Sequence, residues 1–373
     1  GWVQADVTAL EWRSAQEDGV SKKLFGNRNL EKNGIWHTLQ LQGDAVLSFF
    51  ESKEPVRFDA NRLPKTPPKA TQGFISHRSF GGFCGTLSLE GEILTPISVS
   101  ESGEPSFRII KDGEHINGWD FFSISPAEAS LRGDEKRYAL PAKSIRGMVR
   151  HIYSKATNFK NPSPDISKLN PVDSLFGWVG AGQNQAIAGR FSFNFGVFDK
   201  PELAWFKVPY PYGNWQFLEG EWKNVPKAEA KILQIGDDWR YFPHAPLAPI
   251  VQKIDNFEPD TVKASYMRAI LPGSTCRFTI RFWNLLEEEL QRLIWCLTLE
   301  EGLAHKMGKA RYLGFGSLKL KLLDNSYIIN WENRYAGKAK ESWQLPVKAA
   351  DWINPKVIAN YDKLHEALNA KQI

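Results

Sequence analysis

The sequence predicts an α+β fold in which one antiparallel sheet is covered on one side by two helices. Four segments alternate apolar and polar residues, as strands with one buried face do, and two segments repeat apolar residues at helical spacing. Along the chain their order is strand, helix, strand, strand, helix, strand. That order predicts a ferredoxin-like (RRM-like) βαββαβ core with a long first strand–helix loop and a large insertion between strands 2 and 3.

The first core strand is predicted in "FCGTLSLEGEIL", where Leu87 and Leu89 share one face. A segment from about Ser100 to Arg137 follows without a regular pattern, and a connection of that length is uncommon unless it is functional or disordered. The first helix is predicted in "LPAKSIRGMVRHIYSKAT", where Pro141 suits a helix start. Its buried stripe would contain Ile145, Met148, Val149 and Ile152.

The second strand is predicted in "GRFSFNFGVF", with Phe191, Phe193 and Phe195 inward and Arg190 outward. An insertion of about 199–267, rich in Pro, Trp and Tyr, separates it from the third strand in "GSTCRFTIRFW". The apolar face of that strand would contain Cys276, Phe278, Ile280 and Phe282. The second helix and the last strand complete the core.

The second helix is predicted in "NLLEEELQRLIWCLTLEEGL", with Asn284 as N-cap and Glu287 three residues later, a variant of the capping box. The last strand is predicted in "SLKLKL", with Leu318, Leu320 and Leu322 inward. Both segments carry one apolar face, so each is expected to complete the same core.

The ferredoxin-like domain is predicted to span residues 79–325, between two extensions. Residues 1–78 are predicted to form an N-terminal extension with one strand in "LQLQGDAVLSFF". The sequence is equally compatible with an extension that belongs to a neighbouring unit. Residues 326–373 form a C-terminal extension, in which "NPKVIANYDKLHEALNA" is typical of an amphipathic helix. The first residue is Gly, which fits either Met removal or a piece of a longer polypeptide.

Composition is that of a globular protein large enough for one large core or two smaller ones, with 373 residues of which 42% are hydrophobic. A net charge of +5 is only mildly basic, so any polyanion site must be local. Three widely spaced cysteines in apolar stretches predict buried free thiols in a reducing, cytoplasmic compartment rather than disulfides or a zinc site. No apolar run predicts a membrane span, and no leader predicts export.

Two segments of the predicted domain carry clustered cations. In "HKMGKARYLGFGSLKL", Lys306, Lys309 and Arg311 lie beside glycines, whose backbone N–H groups can approach a phosphate closely. At the start of the first helix, Lys143 and Ser144 lie where free N–H groups and the helix dipole favour an anion. The open sheet face has no predicted Phe or Tyr, so base stacking there is not expected. The alternative is a solvated turn and a solvated helix face.

Four segments resemble, in order, motifs of the RAMP superfamily of CRISPR-associated backbone proteins. "YALPAKSIRGMVRHIYSKAT" resembles the "IPGSSLKGxLR" helix start, and "DSLFGWVGAGQNQAIAGRFSF" resembles the "LFG…G…RxxF" passage into the second strand. "LPGSTCRFTIRFWNL" with the helix after it resembles the third strand and second helix, and "HKMGKARYLGFGSLKL" resembles the "LGxGKxxGxGxv" loop. The matches span about residues 82–323 and are most similar to type III, RNA-targeting subunits.

The resemblance implies a subunit that binds guide RNA (crRNA) in a type III CRISPR effector ribonucleoprotein. It would stack on other effector subunits in a filament and hold the guide for pairing with target RNA in antiviral defence. The RNA contacts expected on this basis are Lys143, Ser144, Arg146, Arg150, Lys306, Gly308, Lys309, Arg311, Gly314 and Gly316. His305 is a further candidate for an RNA contact, although a lone loop histidine usually has no such role. One departure is that Ala142-Lys143-Ser144 replaces the family's Gly-Ser-Ser, which puts the closest backbone approach in doubt.

Some members of the family cut target RNA with an Asp between the first strand and first helix, where a metal such as Mg²⁺ would polarise the phosphoryl oxygen. Asp120 in "HINGWDFF" is the candidate, because Gly118 and Trp119 could present it on a turn. Asp112 in "KDGEH" is the alternative, although it fits a simple Asp-Gly turn. Asp134 lies so close to the helix that a solvated turn explains it. Surface carboxylates are the plain alternative for all three, so endoribonuclease activity stays open.

Two other functions remain open. A metal-independent endoribonuclease that processes precursor guide RNA would need a His, Tyr or Lys acid–base set, and only scattered candidates exist. His115 is a separate candidate for an acid–base partner of Asp120, although a lone loop histidine usually has no such role. A purely structural subunit would bind protein and leave its cations solvated. No two histidines stand at metal-ligand spacing, so no resident metal site is predicted. Two aromatic stretches of the insertion, "PYPYGNW" and "WRYFPHAP", fit either of two roles. One is a thumb that wedges between guide and target bases, and the other is the packing of an irregular subdomain.

Overall fold

The computed structural model describes residues 9–14, 31–33, 36–42, 81–101, 103–125, 136–159, 161–180, 186–210, 215–225, 233–234 and 240–373. The chain divides into two units, Gly1–Lys69 and Ala70–Ile373. In the first unit, β1 (Ala9–Ser14), β2 (Glu31–Asn33) and β3 (Trp36–Gln42) form an antiparallel sheet with β3 in the middle. The strand predicted in "LQLQGDAVLSFF" is described only as far as Gln42, and its remainder lies outside the described residues.

The second unit contains the remaining elements. Its strands are β4 (Phe83–Ile93), β5 (Phe107–Lys111), β6 (Glu114–Trp119), β7 (Ala139–Leu140), β8 (Gly177–Val179), β9 (Ala186–Ala188), β10 (Phe191–Phe193), β11 (Gly196–Phe198), β12 (Leu203–Pro209), β13 (Trp215–Leu218), β14 (Glu221–Asn224), β15 (Leu233–Gln234), β16 (Arg240–Tyr241), β17 (Gln252–Ile254), β18 (Ala264–Ile270), β19 (Thr275–Leu285), β20 (His305–Lys306), β21 (Ser317–Leu322), β22 (Tyr327–Ile329) and β23 (Gln344–Pro346). Its helices are α1 (Ala142–Ala156), α2 (Pro171–Phe176), α3 (Glu287–Thr298), α4 (Trp331–Tyr335), α5 (Lys340–Trp343), α6 (Ala349–Trp352) and α7 (Tyr361–Leu368).

The main sheet is built around two long strands, β4 and β19, which pair antiparallel. Its order is β20-β21-β4-β19-β11-β7, and β10 pairs with β19 beside β11. The four strands predicted from the sequence therefore lie in the order last, first, third, second. Helices α1 and α3 contact each other and bury their apolar stripes in the same core as the inward residues of β4 and β19. The predicted α+β class with an antiparallel sheet is confirmed.

The buried faces of most predicted elements are also confirmed. Leu87 and Leu89 of β4 are fully buried, and so are the inward residues predicted for β19. The predicted α1 stripe is buried as well. Because burying one large apolar side chain contributes about 1.5–3 kcal/mol, this alternation determines which face of each element packs inward.

The second predicted strand departs from expectation at its start and in its middle. The strand is interrupted between β10 and β11, and this break leaves Phe195 45% exposed, stacked on Phe122 at 5.7 Å between ring centroids. Phe198 is buried instead. Arg190, expected outward, is 1% exposed, and its Nη1 donates to Glu289 of α3 at 2.7 Å. A buried charge is tolerated here because it is paired and hydrogen-bonded.

The start of α3 also differs from the sequence prediction. The helix begins at Glu287 after Leu286, whose N–H donates to the Glu289 carboxylate at 2.9 Å. Asn284 instead lies within β19, one residue before its end, with a φ of 58°, and its side-chain oxygen accepts the Gly82 N–H at 2.8 Å. The reason is that Asn tolerates the left-handed region, so it can close the strand rather than cap the helix.

A second sheet, in the order β17-β12-β18-β6-β5, is formed by the insertion together with the segment before α1. The segment predicted to be irregular thus contains a β5–β6 hairpin, whose Asp112-Gly113 turn has φ values of 52° and 79°. Aromatic residues of the insertion, such as Phe206 and Trp215, pack with Phe315 in a second, smaller core. Within the two proposed thumb stretches, residues 211–214 and 239 lie outside the described residues.

Several C-terminal residues pack in the main core. Strand β22 pairs with β4, and Ile328, Val347 and Leu364 are buried in the main cluster. The predicted helix is split into a 3₁₀ turn and α7, with Asn360 at a φ of 54° between them. All three cysteines are buried and free, as predicted. None of the helices described here is both long and apolar enough to cross a membrane.

Candidate nucleic-acid interface

A cavity of about 460 Å³ lies where α1 meets the glycine-rich loop, and we call it the helix–loop cavity. It is lined by Val99, Ser144, Gly147, Met148, His151, Ile152, Phe242, Lys306, Met307, Gly308 and Arg311. The two predicted cation segments are far apart in the sequence, yet they supply most of this wall. The fold therefore brings the two segments together at one concave surface.

The N-terminus of α1 is suited to an anion. Within the described residues, no side chain caps this helix and no acidic residue lies in its first turn. The first-turn N–H groups of a helix have no partners inside it, and they carry the positive end of its dipole. Ser144 lines the helix–loop cavity, and Lys143 is exposed beside it. An anionic ligand at this end of α1 would therefore meet favourable charge and N–H donors.

The two arginines of α1 are used largely by the protein itself. Arg146 donates from Nη2 to the Phe176 carbonyl, and burial followed by the charge of Arg150 lowers its pKa. The Nη2 of Arg150 lies 2.7 Å from the buried Asp173 carboxylate. Neither arginine lines the helix–loop cavity. Arg150 lines an adjoining cavity of about 230 Å³, which shares Gly147 and His151 with the first.

The glycines of the loop are required for packing against the protein's own backbone. Gly308, Gly314 and Gly316 all have φ between 84° and 94°. An added Cβ would lie 2.6 Å from the Ser98 carbonyl oxygen at Gly308 and 1.8 Å from the Met307 carbonyl oxygen at Gly316. Gly314 and Gly316 are buried and do not line the cavity, so only Gly308 is positioned for the ligand approach expected from the sequence.

The loop cations differ in their surroundings. Lys306 lines the cavity, and its Nζ donates to Ser317 Oγ at 3.1 Å and to the Gly314 carbonyl at 3.4 Å. An ammonium has three donors, so one remains for a ligand. Burial, with a smaller contribution from the charge of Arg311, lowers the pKa of Lys306 to about 7. Arg311 is exposed and lies 5.3 Å from the Phe242 ring centroid, which forms another part of the wall.

Lys309 faces a different neighbour from the other two loop cations. Its Nζ lies 4.7 Å from the Trp119 ring centroid, outside the helix–loop cavity wall. Burial lowers the pKa of Lys309 below its usual value. Its exposed side chain can still reach a ligand that extends beyond the cavity, but a cation–π contact holds it toward β6.

The histidines are placed differently from the sequence expectation. His305, an expected RNA contact, is fully buried with Nε2 at 2.9 Å from the Cys296 carbonyl oxygen, and it does not line the helix–loop cavity. His115 is exposed on β6. His151, which the sequence reasoning missed, lines both cavities. Loss of hydration, followed by the charges of Arg311 and Lys155, lowers its pKa to about 4. Its helical spacing from Ser144 and Gly147 is the signal that could have found it.

The two candidate catalytic carboxylates lie outside the cavity. Asp120 is 2% exposed, with Oδ2 at 3.0 Å from Lys136 Nζ and Oδ1 at 3.5 Å from Arg268 Nη1. Asp112 is exposed at the β5–β6 turn. In the described part of the chain, no three His, Cys, Asp or Glu side chains are grouped to hold a metal ion. A buried carboxylate neutralised by two cations does not fit Mg²⁺ coordination.

Comparison with known proteins adds little. No protein-family model and no curated protein matches the chain. A solved chain from a structure titled "Type IV-B CRISPR Complex" is similar at 11% identity over 64% of this chain and 90% of its own, with a TM-score of 0.30. Similarity that weak is not evidence of a shared fold or a shared activity.

Proposed function

We propose that the protein is a guide-RNA-binding backbone subunit of a type III CRISPR effector complex, related to the RAMP superfamily, and that it holds RNA phosphates in the helix–loop cavity. The observation that carries the proposal is the meeting of the uncapped α1 N-terminus with Lys306 and Arg311 around one cavity. The strand order last, first, third, second, with both helices on one face, supports a ferredoxin-like core. The motif resemblance supports the guide RNA, the target RNA and the neighbouring effector subunits as partners.

Gly147 gives independent support. It lies in the middle of α1 and is exposed, and no described atom lies within 4 Å of where its Cβ would be. Glycine in a helix interior costs about 0.5–1 kcal/mol relative to Ala, and no contact in the described protein explains that cost here. Gly147 lines both the helix–loop cavity and the adjoining one. A ligand backbone that crosses α1 at this residue accounts for the missing side chain.

Target-RNA cleavage is not part of this proposal. Asp120 is paired with Lys136 and Arg268 and lies outside the helix–loop cavity. If the assembled complex cuts target RNA at this subunit, a metal ligand other than Asp120 must act in this arrangement. The test is to measure target-RNA cleavage by the assembled complex, with Mg²⁺, when this subunit carries Asp120→Ala. Loss of cleavage in a complex that still assembles would contradict the conclusion that Asp120 is not the metal ligand.

The test of RNA binding compares two double variants, each of which removes two cationic side chains. Lys306→Met/Arg311→Ala removes the cavity cations, and Lys319→Ala/Lys321→Ala removes two exposed cations from the open face of β21. Binding of a short single-stranded RNA of mixed sequence is followed by fluorescence anisotropy over a salt series. The cavity variant is expected to lower the salt slope by about 1.4, because single strands lose about 0.7 per phosphate contact. Equal losses of RNA affinity in the two double variants would contradict a specific RNA site in the helix–loop cavity.

One observation favours a second candidate, the metal-independent endoribonuclease that processes precursor guide RNA. His151 and Lys306 line the same cavity, and the pKa of Lys306 is lowered to about 7, near the value that suits a general acid at neutral pH. At neutral pH a neutral imidazole could accept the 2′-hydroxyl proton while the ammonium donates one to the leaving oxygen. Hairpin RNA incubated with the protein in EDTA tests this activity. Cutting that is lost in His151→Ala supports it, and intact RNA excludes it.

A further inference from the structure

A second, larger cavity lies on the opposite edge of the main sheet and is strongly basic. Its volume is about 730 Å³, and it shares no lining residue with the helix–loop cavity among the residues described. It lies where β7, β11 and β19 meet β18 of the second sheet. Its charged lining residues are Lys136, Arg137, Lys200, Arg268, Arg277 and a single acid, Asp199. We call it the basic edge cavity.

Two of these cations are held in place by one buried carboxylate. Asp120 contacts Lys136 at 3.0 Å and Arg268 at 3.5 Å from behind the cavity wall. Arg268 also donates from Nη1 to the Tyr138 hydroxyl at 2.9 Å, and its guanidinium lies 5.8 Å from that ring centroid. All of its contacts with described residues use Nη1 or the guanidinium face, so its other N–H groups are left for a ligand.

The remaining cations are more exposed and only partly compensated. Arg277 pairs with Glu90 at 2.8 Å, and Lys136 also lies 3.4 Å from Glu101. Arg137 and Lys200 are exposed, and neither forms an ion pair with any described residue. Lys200 adopts a φ of 46°, an uncommon conformation for a residue with a side chain and one often found at functional sites. Among the residues that the structure describes, the mouth of the cavity therefore carries more positive than negative charge.

We propose that the basic edge cavity is a second binding site, one that takes a nucleotide-sized ligand through its phosphate. The expected contacts are the lining cations Lys136, Arg137, Lys200 and Arg268, and Asp120 is a positioning residue. Binding pockets for ligands of this size measure about 300–1,000 Å³, which includes the observed volume. Planar guanidinium groups suit phosphate oxygens. A single carboxylate from a protein partner would leave most of such a cavity unfilled, so a phosphate-bearing nucleotide group fits better.

The phosphate could come from a free or terminal phosphate monoester or from a phosphodiester within an RNA chain. Three probes separate these sources: inorganic pyrophosphate, a short RNA with a 5′-phosphate, and the same RNA with a 5′-hydroxyl. Binding is measured by calorimetry on the full chain in the Lys306→Met/Arg311→Ala background, which removes the two cations of the helix–loop cavity. Binding of all three probes identifies a phosphodiester site, and binding of only the first two identifies a monoester site. Either outcome supports the proposal.

The decisive comparison uses two charge-reversal variants. Arg137→Glu/Lys200→Glu is expected to weaken probe binding at least about tenfold, because it replaces two ligand-facing cations by anions. Lys319→Glu/Lys321→Glu introduces the same charge change on β21, outside the lining of the basic edge cavity, and is expected to weaken binding by a clearly smaller factor, since salt screens exposed charges that do not contact the ligand. The proposal is overturned if no probe binds or if both variants weaken binding equally.

The Asp120→Asn variant tests whether Asp120 positions the cavity cations, because the two possible roles of Asp120 predict opposite changes in anion affinity. Removing one negative charge behind the cavity should strengthen anion binding if Asp120 acts only through its field. Weaker binding, with the thermal unfolding midpoint measured alongside to show an intact fold, indicates that Asp120 holds Lys136 and Arg268 in their binding positions. Stronger binding would remove the positioning role from the proposal.

Discussion

Lys306 should make RNA binding depend on pH in the neutral range. Burial and the charge of Arg311 lower its pKa to about 7 from the usual 10.5, so the free protein loses this charge as pH rises through about 7. A bound phosphate favours the charged ammonium and raises the pKa again. RNA association therefore takes up a proton above that pH, and affinity is highest below it.

The size of the pH effect on RNA affinity follows from the single proton that Lys306 takes up when RNA binds. If the bound ammonium stays charged throughout, affinity falls about fiftyfold between about pH 7 and about pH 9, and the limiting slope is about tenfold per pH unit. Stability should change in the opposite direction. The unfolded lysine keeps a pKa near 10.5, so the free protein gains stability as pH rises from about 7 toward that value.

The assay is fluorescence anisotropy at constant ionic strength with a 2′-O-methyl RNA, which resists alkaline hydrolysis. Lys306→Arg stays charged at every pH used, so its affinity should be nearly flat across the range. Lys306→Met should bind weakly and equally at every pH. The reasoning is refuted if the unmodified protein varies less than about twofold over this range, or if Lys306→Arg keeps the full slope.

Three further predictions concern the fold beneath the site. Gly147→Ala should raise the free energy of unfolding by about 0.5–1 kcal/mol and yet weaken RNA binding, whereas equal or tighter binding would contradict close approach of RNA at α1. Gly316→Ala should lower the thermal unfolding midpoint, because its Cβ would lie 1.8 Å from the Met307 carbonyl oxygen, and an unchanged midpoint would contradict the packing role of this glycine. Glu289→Ala should cost about 3–5 kcal/mol in urea unfolding, because it leaves the buried Arg190 unpaired, and a loss below about 1 kcal/mol would contradict that reasoning.

Much of the fold was predictable because alternation and helical spacing record which face is buried. The inward residues of β4 and β19 and the stripe of α1 followed from these patterns. The failures have local physical causes. A break between β10 and β11 turned Phe195 outward, and the buried pair with Glu289 drew Arg190 inward. No period-two pattern records an interruption of the strand or a partner on another element.

The sequence by itself determined the order of the elements, their apolar faces and the presence of two cation-bearing segments. Only the tertiary structure decided which of those cations face a cavity. Arg150 pairs with Asp173, and Asp120 pairs with Lys136 and Arg268, while Lys306 and His151 line the same wall. The reason is that electrostatic partners and loss of hydration depend on distance in space, and folding brings together residues that lie far apart in the chain.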